Sequence, residues 1–299
     1  MPLAFSWADF GQQVTSGLAA GAIYASVALA LVLIYRSTDV VNFAQGEMAT
    51  FTTYIAWSLM HHGLSYWPAF VLTLLIAFGG GVGVERLLIR PVERRPEIVI
   101  VIVTIGLLIA LNGLTGWIWG PEVKAFDSPF PNNTVDVGGV VISVQDIGTF
   151  CVCLATVLVV WAFFRFTTVG LAMRAVAVNP DASRLMGVRV GWMLALGWGL
   201  AAVLGAVAGM MAAPTVFLDP DMMLVILIYA FAAAVLGGID SPVGAVVGGL
   251  VLGVVINLLG RYVNFVGQEL RLPSALALLL LVLLIRPSGL FGRVAVRRV

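Results

Sequence analysis

The segment VTSGLAAGAIYASVALALVLIY, residues 14–35, contains no charged side chain and is built mainly from Ala, Leu and Val. A helix needs about 20 predominantly apolar residues to cross the hydrocarbon core of a bilayer. Similar runs recur along the chain of 299 residues, of which 61% are hydrophobic and 10% are charged. Because soluble domains carry about 25% charged residues, the sequence predicts an all-α protein, a polytopic bundle of transmembrane helices.

Nine segments are predicted to span the membrane, and together they make residues 1–299 a single transmembrane domain. The last segment is short, and residues 39–60 have the polar start expected of a broken or partly re-entrant helix, so eight and nine crossings both fit the sequence. The predicted spans are residues 14–35, 43–60, 66–84, 98–119, 147–164, 192–213, 222–238, 243–260 and 272–285.

Thirteen of the 16 Lys and Arg residues fall on one side of the predicted bundle. The positive-inside rule makes this side cytoplasmic, which places the C-terminus in the cytoplasm and, with nine crossings, the N-terminus outside. The other side has Lys124, Arg261, Arg271 and an acidic loop at residues 120–146. The thirteen are Arg36, Arg86, Arg90, Arg94, Arg95, Arg165, Arg174, Arg184, Arg189, Arg286, Arg293, Arg297 and Arg298.

A polar cytoplasmic connection, residues 165–191, is predicted to contain one short helix. Asn179 is a good N-cap, Pro180 fits the first helical position, and Asp181 suits the positive end of the helix. Gly187 stops the helix about two turns later. A membrane bundle does not need this helix in order to fold, so we expect it to bind a soluble partner; an ordinary solvated loop is the alternative. The basic residues of the connection are Arg165, Arg174, Arg184 and Arg189.

The segment DVVNFAQGEMATFTTY, residues 39–54, brings polar groups into a predicted span. Glu47 is the only carboxylate within a predicted span, and an ionised group at membrane depth costs several kcal/mol without water or a partner. Asn42, Gln45 and Thr53 share roughly one side of the helix. Two interpretations fit equally well: a half-helix end that lines a pathway, or a cap in which Asp39 or Asn42, together with Glu47, satisfies free amides near the interface.

Other polar and small residues inside the spans have a commoner structural role. Asn112 and Thr115 in the fourth span, and Asn257 in the eighth, can face a pathway, but hydrogen bonding to a neighbouring helix is more frequent. The glycine-rich stretches at residues 79–83, 237–238 and 248–253 predict close helix packing.

The topology also favours an inverted repeat. Four spans precede the fifth and four follow the polar connection, and four-span units separated by an odd number of crossings have opposite orientations. The tripeptide Gly46-Glu47-Met48 after the first span can be set against Pro220-Asp221-Met222 after the sixth.

The sequence lacks the motifs of the common enzyme classes. Its single lysine, Lys124, follows no glycine loop, so there is no Walker A phosphate cradle, and neither HExxH nor GxSxG occurs. The spacing of Cys151 and Cys153 in an apolar run favours small buried side chains over a disulfide or a metal site. We expect no catalytic residue, no metal and no cofactor in this chain.

Four separate stretches carry a family resemblance that covers nearly the whole chain in the expected order. They are GAIYASVALALVLIYRSTDVVNFAQGEM (residues 21–48), RAVAVNPDASRLMGV (174–188), GGIDSPVGAVVGG (237–249) and RPSGLFG (286–292). These stretches resemble the permease of bacterial branched-chain amino acid ABC importers, the LivH type. The family often has histidine at the position of Gln45.

The resemblance implies a type II ABC importer-like permease of the bacterial inner membrane for branched-chain or other hydrophobic amino acids. Its partners would be a homologous second permease of the LivM type, two ATPase subunits that bind the ATP, and a periplasmic or lipid-tethered binding protein. Related permeases carry urea, amides and other small polar solutes, which is the main alternative; a stand-alone secondary carrier and an intramembrane enzyme are further ones.

Two sets of residues are therefore candidate sites. The set for the transport pathway is Asn42, Gln45, Glu47, Thr53 and Asn112. The set for the helix that couples the permease to its ATPases is Arg174, Asn179, Pro180, Asp181, Arg184 and Gly187.

Overall fold

The computed structural model describes residues 6–93, 95–263, 265–267 and 269–292. In this part of the chain, eleven α-helices and one β-hairpin follow one another, which confirms the predicted helical bundle. The helices are α1 (Trp7–Thr38), α2 (Gln45–His61), α3 (Tyr66–Val84), α4 (Glu97–Trp119), α5 (Val144–Phe166), α6 (Thr168–Val178), α7 (Pro180–Leu185), α8 (Val190–Val216), α9 (Met222–Gly237), α10 (Pro242–Tyr262) and α11 (Arg271–Ile285). The hairpin strands are β1 (Thr134–Val137) and β2 (Val140–Ser143).

Helices α1 and α8 form the centre of the bundle. In each of them 78% of the most apolar segment is buried, against 17% in α4. They pack on each other, and the core includes Val27 and Leu31 of α1 and Leu204 and Met211 of α8. The outward surfaces of α3, α4 and α5 stay apolar and exposed, as helices in contact with lipid or with other membrane subunits require.

The packing of the first four helices recurs in the last four. α1 packs on α10 and α9, while α8 packs on α3 and α2. α2 contacts α4, and α9 contacts α11. The equivalent helices also meet each other, α1 with α8 and α2 with α9. This exchange of partners is the pattern that a repeat of four helices predicts.

Glycines allow the closest helix contacts. A side chain at Gly21 of α1 would meet the Leu250 backbone of α10 at 2.9 Å. In the stretch at residues 79–83 the prediction holds for Gly81, whose hypothetical side chain would lie 2.8 Å from that of Ala202 on α8. It is wrong for three glycines of that stretch, which have no neighbour within 4 Å in the described chain because they face away from α8: Gly79, Gly80 and Gly83.

Each of the nine predicted spans coincides with a helix. Among the described residues, six helices are long and apolar enough to cross a membrane by length and composition. α9 and α11 are shorter apolar helices, and α2 has 17 residues. The count of eight or nine crossings therefore stays a prediction.

The chain breaks between α1 and α2, at the segment expected to form a broken helix. Asp39 ends α1 in the left-handed conformation, with φ 54°, and its N–H donates to the Tyr35 carbonyl at 2.7 Å. Val40, Asn42 and Ala44 of the non-helical link are buried. Non-helical backbone is tolerated at membrane depth only where protein or water surrounds it, and this link meets that condition.

The loop at residues 120–146 contains structure that the sequence analysis did not predict. β1 and β2 pair antiparallel, with Val137 opposite Val140, and the turn between them has φ 64° at Gly138 and 88° at Gly139. Two positive φ values suit the twist of a two-residue hairpin turn. The loop is also tied to the end of α8, because the amides of Lys124 and Leu218 donate to each other's carbonyls at 2.8 and 3.0 Å.

The basic residues gather at two opposite ends of the bundle, as predicted. At the end where α1 stops, Arg36, Arg165 and Arg174 line the same cavity. At the end where α1 begins, Arg261 pairs with Asp9 at 3.1 Å. Which end faces the cytoplasm stays a prediction. Four basic residues lie outside the described part of the chain: Arg94, Arg293, Arg297 and Arg298.

Candidate transport pathway and cytoplasmic docking surface

The start of α2 is held against α8 by buried amide side chains. Gln45 Nε2 donates to the Ala201 carbonyl at 2.9 Å. Asn42 Nδ2 donates to Gln45 Oε1 at 3.3 Å, and Asn42 Oδ1 accepts from the Ala44 amide at 3.0 Å. Asn42 and Gln45 are both 0% exposed. In this conformation these two pathway candidates hold the break between α1 and α2 in place.

Two glycines of α8 make room for this contact. A side chain at Gly205 would lie 2.6 Å from Gln45 Nε2, and one at Gly209 would lie 3.0 Å from the Ala49 carbonyl and closer still to the Thr53 hydroxyl. Gln45 and Thr53 thus share the face of α2 that packs on α8, as their spacing predicts. Thr53, a further pathway candidate, is buried and bonds to the Ala49 carbonyl of its own helix at 2.8 Å.

The other two pathway candidates, Glu47 and Asn112, meet in a polar cluster with a residue that the sequence analysis did not select. Asn112 Nδ2 donates to Asp221 Oδ1 at 2.8 Å, and it lies 3.5 Å from Glu47 Oε2 and 3.4 Å from the Pro220 carbonyl. Asp219 accepts from the Asp221 amide at 2.8 Å. The cluster therefore joins α2, α4 and the link before α9.

Further polar groups lie on α2 above Glu47. Thr50 and Tyr54 are both 0% exposed, and neither hydroxyl has a hydrogen-bond partner among the described residues. The Tyr54 ring stacks on Trp119 with 5.1 Å between centroids. Buried hydroxyls rarely stay without a partner, so this face of α2 offers unused hydrogen-bonding capacity.

The cap interpretation of Glu47 finds little support in the geometry. Ala44 is the N-cap of α2 and contributes no side-chain hydrogen bond, and the amide that approaches the Glu47 carboxylate is that of Asn112. Glu47 contributes to the start of α2 only through the favourable interaction between its carboxylate, in the first helical turn, and the positive end of the helix dipole. Glu47 is 3% exposed, so its charge depends on the cluster around it.

The N-terminal ends of α2 and α9 face each other at this cluster. A side chain at Gly46 would lie 3.4 Å from the Met223 carbonyl of α9. Helix N-termini carry partial positive charge and favour anions, whereas Glu47 and Asp221 favour cations. The cluster therefore combines two acidic side chains with two positively polarised helix ends.

The polar connection forms two helices, α6 and α7, where the sequence predicted one. α6 was missed; its N-cap is Thr167, whose hydroxyl accepts from the Gly170 amide at 2.9 Å. The end signals of α7 are confirmed: Asn179 Oδ1 accepts from the Ala182 amide at 2.9 Å, Pro180 begins the helix, and Gly187 follows it with φ 82°.

An exposed ion pair links α7 to the segment after α3, and that segment in turn contacts the start of α8. Arg184 pairs with Asp181 at 3.1 Å and reaches Glu93, after α3, at 3.9 Å. Exposed pairs of this kind contribute about 0.2–1 kcal/mol each. Arg90, also after α3, donates to the Gly191 carbonyl at the start of α8 at 2.5 Å and pairs with the buried Glu85 at 3.2 Å. The start of α8 and the end of α3 thus form one frame below α7.

The surface of α6 and α7 exposes large apolar side chains. Val178, Leu185 and Met186 are 81%, 90% and 84% exposed. Three such residues beside charged ones are typical of a surface that binds another protein. Arg174, one of the predicted coupling residues, lies in α6 and lines a cavity of the bundle.

A family model described as "Branched-chain amino acid transport system / permease component" matches residues 13–285. The chain belongs to this family. The match includes both the polar cluster at α2, α4 and α9 and the surface of α6 and α7. It makes the chain a multi-pass membrane permease, and the helices described above are those of a transport subunit.

Individual relatives agree with the family. The permease is 32% identical over 96% of its length to the high-affinity branched-chain amino acid transport system permease protein BraD of Pseudomonas aeruginosa, 97% of which is covered. It is 31% identical over 97% of its length to LivH of Escherichia coli, a permease protein of the same kind of system, with 98% covered. Among solved structures, PsaBC from Streptococcus pneumoniae in complex with Fab shares the fold, with a TM-score of 0.50 and 14% identity over 93% of this chain and 92% of that one.

The sequence analysis missed Asp221 as part of the polar cluster, although it quoted the residue. Asp221 stands just before the predicted span at residues 222–238, so it did not count as an intramembrane carboxylate. The proposed repeat could have pointed to Asp221, because it aligns this residue with Glu47 as an equivalent position. The apolar surface at Leu185 and Met186 also escaped notice, since exposure cannot be read from the sequence alone.

Proposed function

We propose that this permease moves branched-chain or other hydrophobic amino acids inward as the membrane-spanning subunit of an ATP-driven importer. The names of BraD and LivH, which match along nearly the whole chain, support the substrate class. The observation that carries the mechanism is α7: a capped helix with exposed Leu185 and Met186 on a frame made by α3 and α8. The chain itself has no motif for binding a nucleotide.

The importer would contain two ATPase subunits, a second homologous permease and a binding protein that delivers the amino acid from the outer face. ATP binding closes the ATPases, and α7, seated in a groove of one of them, transmits the movement. Because α7 is linked through Glu93 to the end of α3 and α8 begins shortly after it, its displacement reaches both halves of the repeat.

The polar cluster of Glu47, Asn112 and Asp221 is our candidate for a point on the pathway. Glu47 and Asp221 attract the ammonium group of an amino acid, and the facing N-termini of α2 and α9 suit its carboxylate. Asn42, Gln45 and Thr53 would then act by keeping α2 broken and α8 close.

For orientation, we propose that the end of the bundle with Arg36, Arg90 and Arg184 faces the bacterial cytoplasm. The excess of positive charge at this end supports the assignment. It puts the C-terminus inside and the hairpin of β1 and β2 outside, where the binding protein docks.

Leu185→Asp tests the docking role of α7. The chain is co-expressed with its ATPases and second permease and recovered through a tag on this permease. We expect the yield of co-purified ATPase to fall at least about tenfold, because a central apolar contact contributes about 2 kcal/mol. Leu185 is a better probe than Arg184, which already pairs with Asp181 and Glu93 inside the chain.

The matched control is Val123→Asp, a similar change at a residue that is 65% exposed at the opposite end of the bundle. It should leave the ATPase yield unchanged. If Leu185→Asp retains the ATPases and full transport, α7 is not the docking helix.

A further inference from the structure

We propose that the cavity between α1, α5, α6, α8 and α10 is a binding site for one anionic phospholipid of the leaflet next to α6. The phosphate would lie among Arg36, Arg165 and Arg174, and an acyl chain would lie between the helices. The site is separate from the polar cluster of the pathway and from the exposed apolar surface of α7.

The cavity has the size and the lining of a lipid site. Its volume is about 460 Å³, within the range of about 300–1,000 Å³ that is usual for small-molecule sites. Apart from the basic rim its walls are almost wholly apolar, with Leu29 and Leu33 from α1, Leu154 and Val157 from α5 and Val246 from α10. A polar solute finds almost no hydrogen-bonding group inside, whereas a hydrocarbon chain is suited to it.

The three arginines stand together at one end of the cavity. Arg36 is in the last turn of α1, Arg165 in the last turn of α5, and Arg174 in α6, which crosses beneath them. The cavity is therefore charged at one end and apolar along its length, and a phospholipid has the same arrangement, with a charged headgroup followed by an apolar tail. Trp161 is also part of the lining, and Trp is enriched where headgroups meet hydrocarbon.

Two of these arginines have no acidic partner in the part of the chain that the structure describes. Neither Arg165 nor Arg174 forms an ion pair with a described residue, and Arg174 Nε is buried without a hydrogen-bond acceptor. A buried guanidinium donor without an acceptor is costly. An anionic phosphate supplies acceptors in the fork geometry that Arg prefers.

The cavity opens at the side of the bundle, between α5 and α10. Its edge residues Leu158, Trp161 and Val243 are 52%, 50% and 58% exposed. They belong to α5 and α10, two helices long and apolar enough to span the membrane. A lipid can therefore enter sideways without passing through the protein, and basic pockets between helices on the cytoplasmic side bind anionic headgroups.

Lipid binding is measured on the full chain by native mass spectrometry and by thermal unfolding in detergent, with phosphatidylglycerol or phosphatidylcholine added. We expect one phosphatidylglycerol per chain to be retained and to raise the unfolding temperature, with phosphatidylcholine binding at least tenfold more weakly. Arg165→Gln combined with Arg174→Gln should lower the affinity for phosphatidylglycerol at least tenfold. Arg189→Gln, an exposed arginine in the same connection but outside the cavity lining, should not.

A second variant tests the acyl chain with the arginines intact. Gly197 lines the cavity, and among the described residues a Cβ atom there would have one neighbour within 4 Å, the Met173 methyl group at 3.7 Å. Gly197→Leu should therefore fold, fill the cavity and reduce lipid retention.

Four results would overturn the site. The first is equal binding of the two lipids. The second is unchanged binding in both cavity variants. The third is full competition by water-soluble glycerophosphate, which would indicate a simple anion site. If the arginine variants lose a co-purified membrane subunit but keep the lipid, the cavity is a protein interface and our assignment is wrong.

Discussion

At the scale of single residues, the polar cluster depends on Asn112, whose one amide group lies between two carboxylates. Its bond to Asp221 is 2.8 Å long and its distance to Glu47 is 3.5 Å. The Glu47 carboxylate is therefore weakly satisfied for a buried group, and buried charges need partners. A cation that passes through the cluster would complete its bonding.

Glu47→Gln keeps the shape of the side chain and removes its charge. We expect the uptake rate of branched-chain amino acids to fall at least tenfold, while assembly with the partners is retained. Stability should change by about 1 kcal/mol or less, because a carboxylate in a first helical turn contributes no more than this. Uptake into vesicles and thermal unfolding are measured on the same preparation.

The control for this variant is Glu97→Gln, which removes an exposed carboxylate from the first turn of α4. Each variant removes a carboxylate that interacts with the positive end of its helix dipole, but only Glu47 belongs to the polar cluster with Asn112 and Asp221. Normal uptake with reduced stability in Glu47→Gln would leave the carboxylate a structural role only.

Sequence reasoning selected Glu47 and Asn112 from the cost of polar groups in a membrane, and the structure places them next to each other. It could not separate them from Asn42, Gln45 and Thr53, since the same cost applies to residues that bond within the protein. Burial against α8 distinguishes the two sets. The bond from Asn257 to the Gln13 carbonyl at 3.1 Å is the helix–helix contact that was the commoner expectation.

At the scale of helices, the contact between α2 and α8 rests on the absence of side chains at Gly205 and Gly209. Gly209→Ala would place a methyl group against the Ala49 carbonyl and the Thr53 hydroxyl. Overpacking of this kind costs about 1–3 kcal/mol. We expect a lower unfolding temperature and, since α2 carries Glu47, slower transport.

Gly106→Ala is the matched change for this test. Gly106 lies inside α4, and no described residue would come within 4 Å of a Cβ atom there, so alanine should be neutral or stabilise the helix by up to about 1 kcal/mol. If the two variants unfold at the same temperature, the contact between α2 and α8 has room for a methyl group at Gly209.

α6, which the sequence does not predict, is shorter than each of the nine apolar helices that the sequence predicts as spans. All nine apolar segments are helices, because their hydrophobicity leaves few alternatives. α6, TVGLAMRAVAV, is neither long enough for a span nor marked by a strong cap such as Asn179. It is held by the packing of Val176 against Val190 and Leu194 at the start of α8. The dipeptide Gly138-Gly139 lies between two segments rich in β-branched residues, and this pattern is typical of a β-hairpin. The sequence analysis treated the region only as an acidic loop and did not use this pattern.

At the scale of the whole molecule, the opposite ends of the bundle should face different compartments. In a variant whose native Cys151 and Cys153 are replaced by alanine, we expect Val123→Cys to react with a membrane-impermeant maleimide on intact cells. Met186→Cys, 84% exposed at the other end, should react only in inside-out vesicles, which are prepared from cells that lack the ATPase subunits so that α7 is not covered. The reason is the excess of arginine at the end that carries Met186. The reverse pattern of labelling would invert the proposed topology.

The central position of α1 has a consequence for how the protein is made. α1 leaves the ribosome before α10, and it is α10 that fills the groove at Gly17 and Gly21, more than 200 residues later in the chain. At a synthesis rate of about 5–20 residues per second, this helix waits about 10–50 s for its partner. During that time the translocation machinery or lipid must cover the groove, and a ribosome that stalls before residue 242 leaves a nascent chain that membrane proteases can recognise.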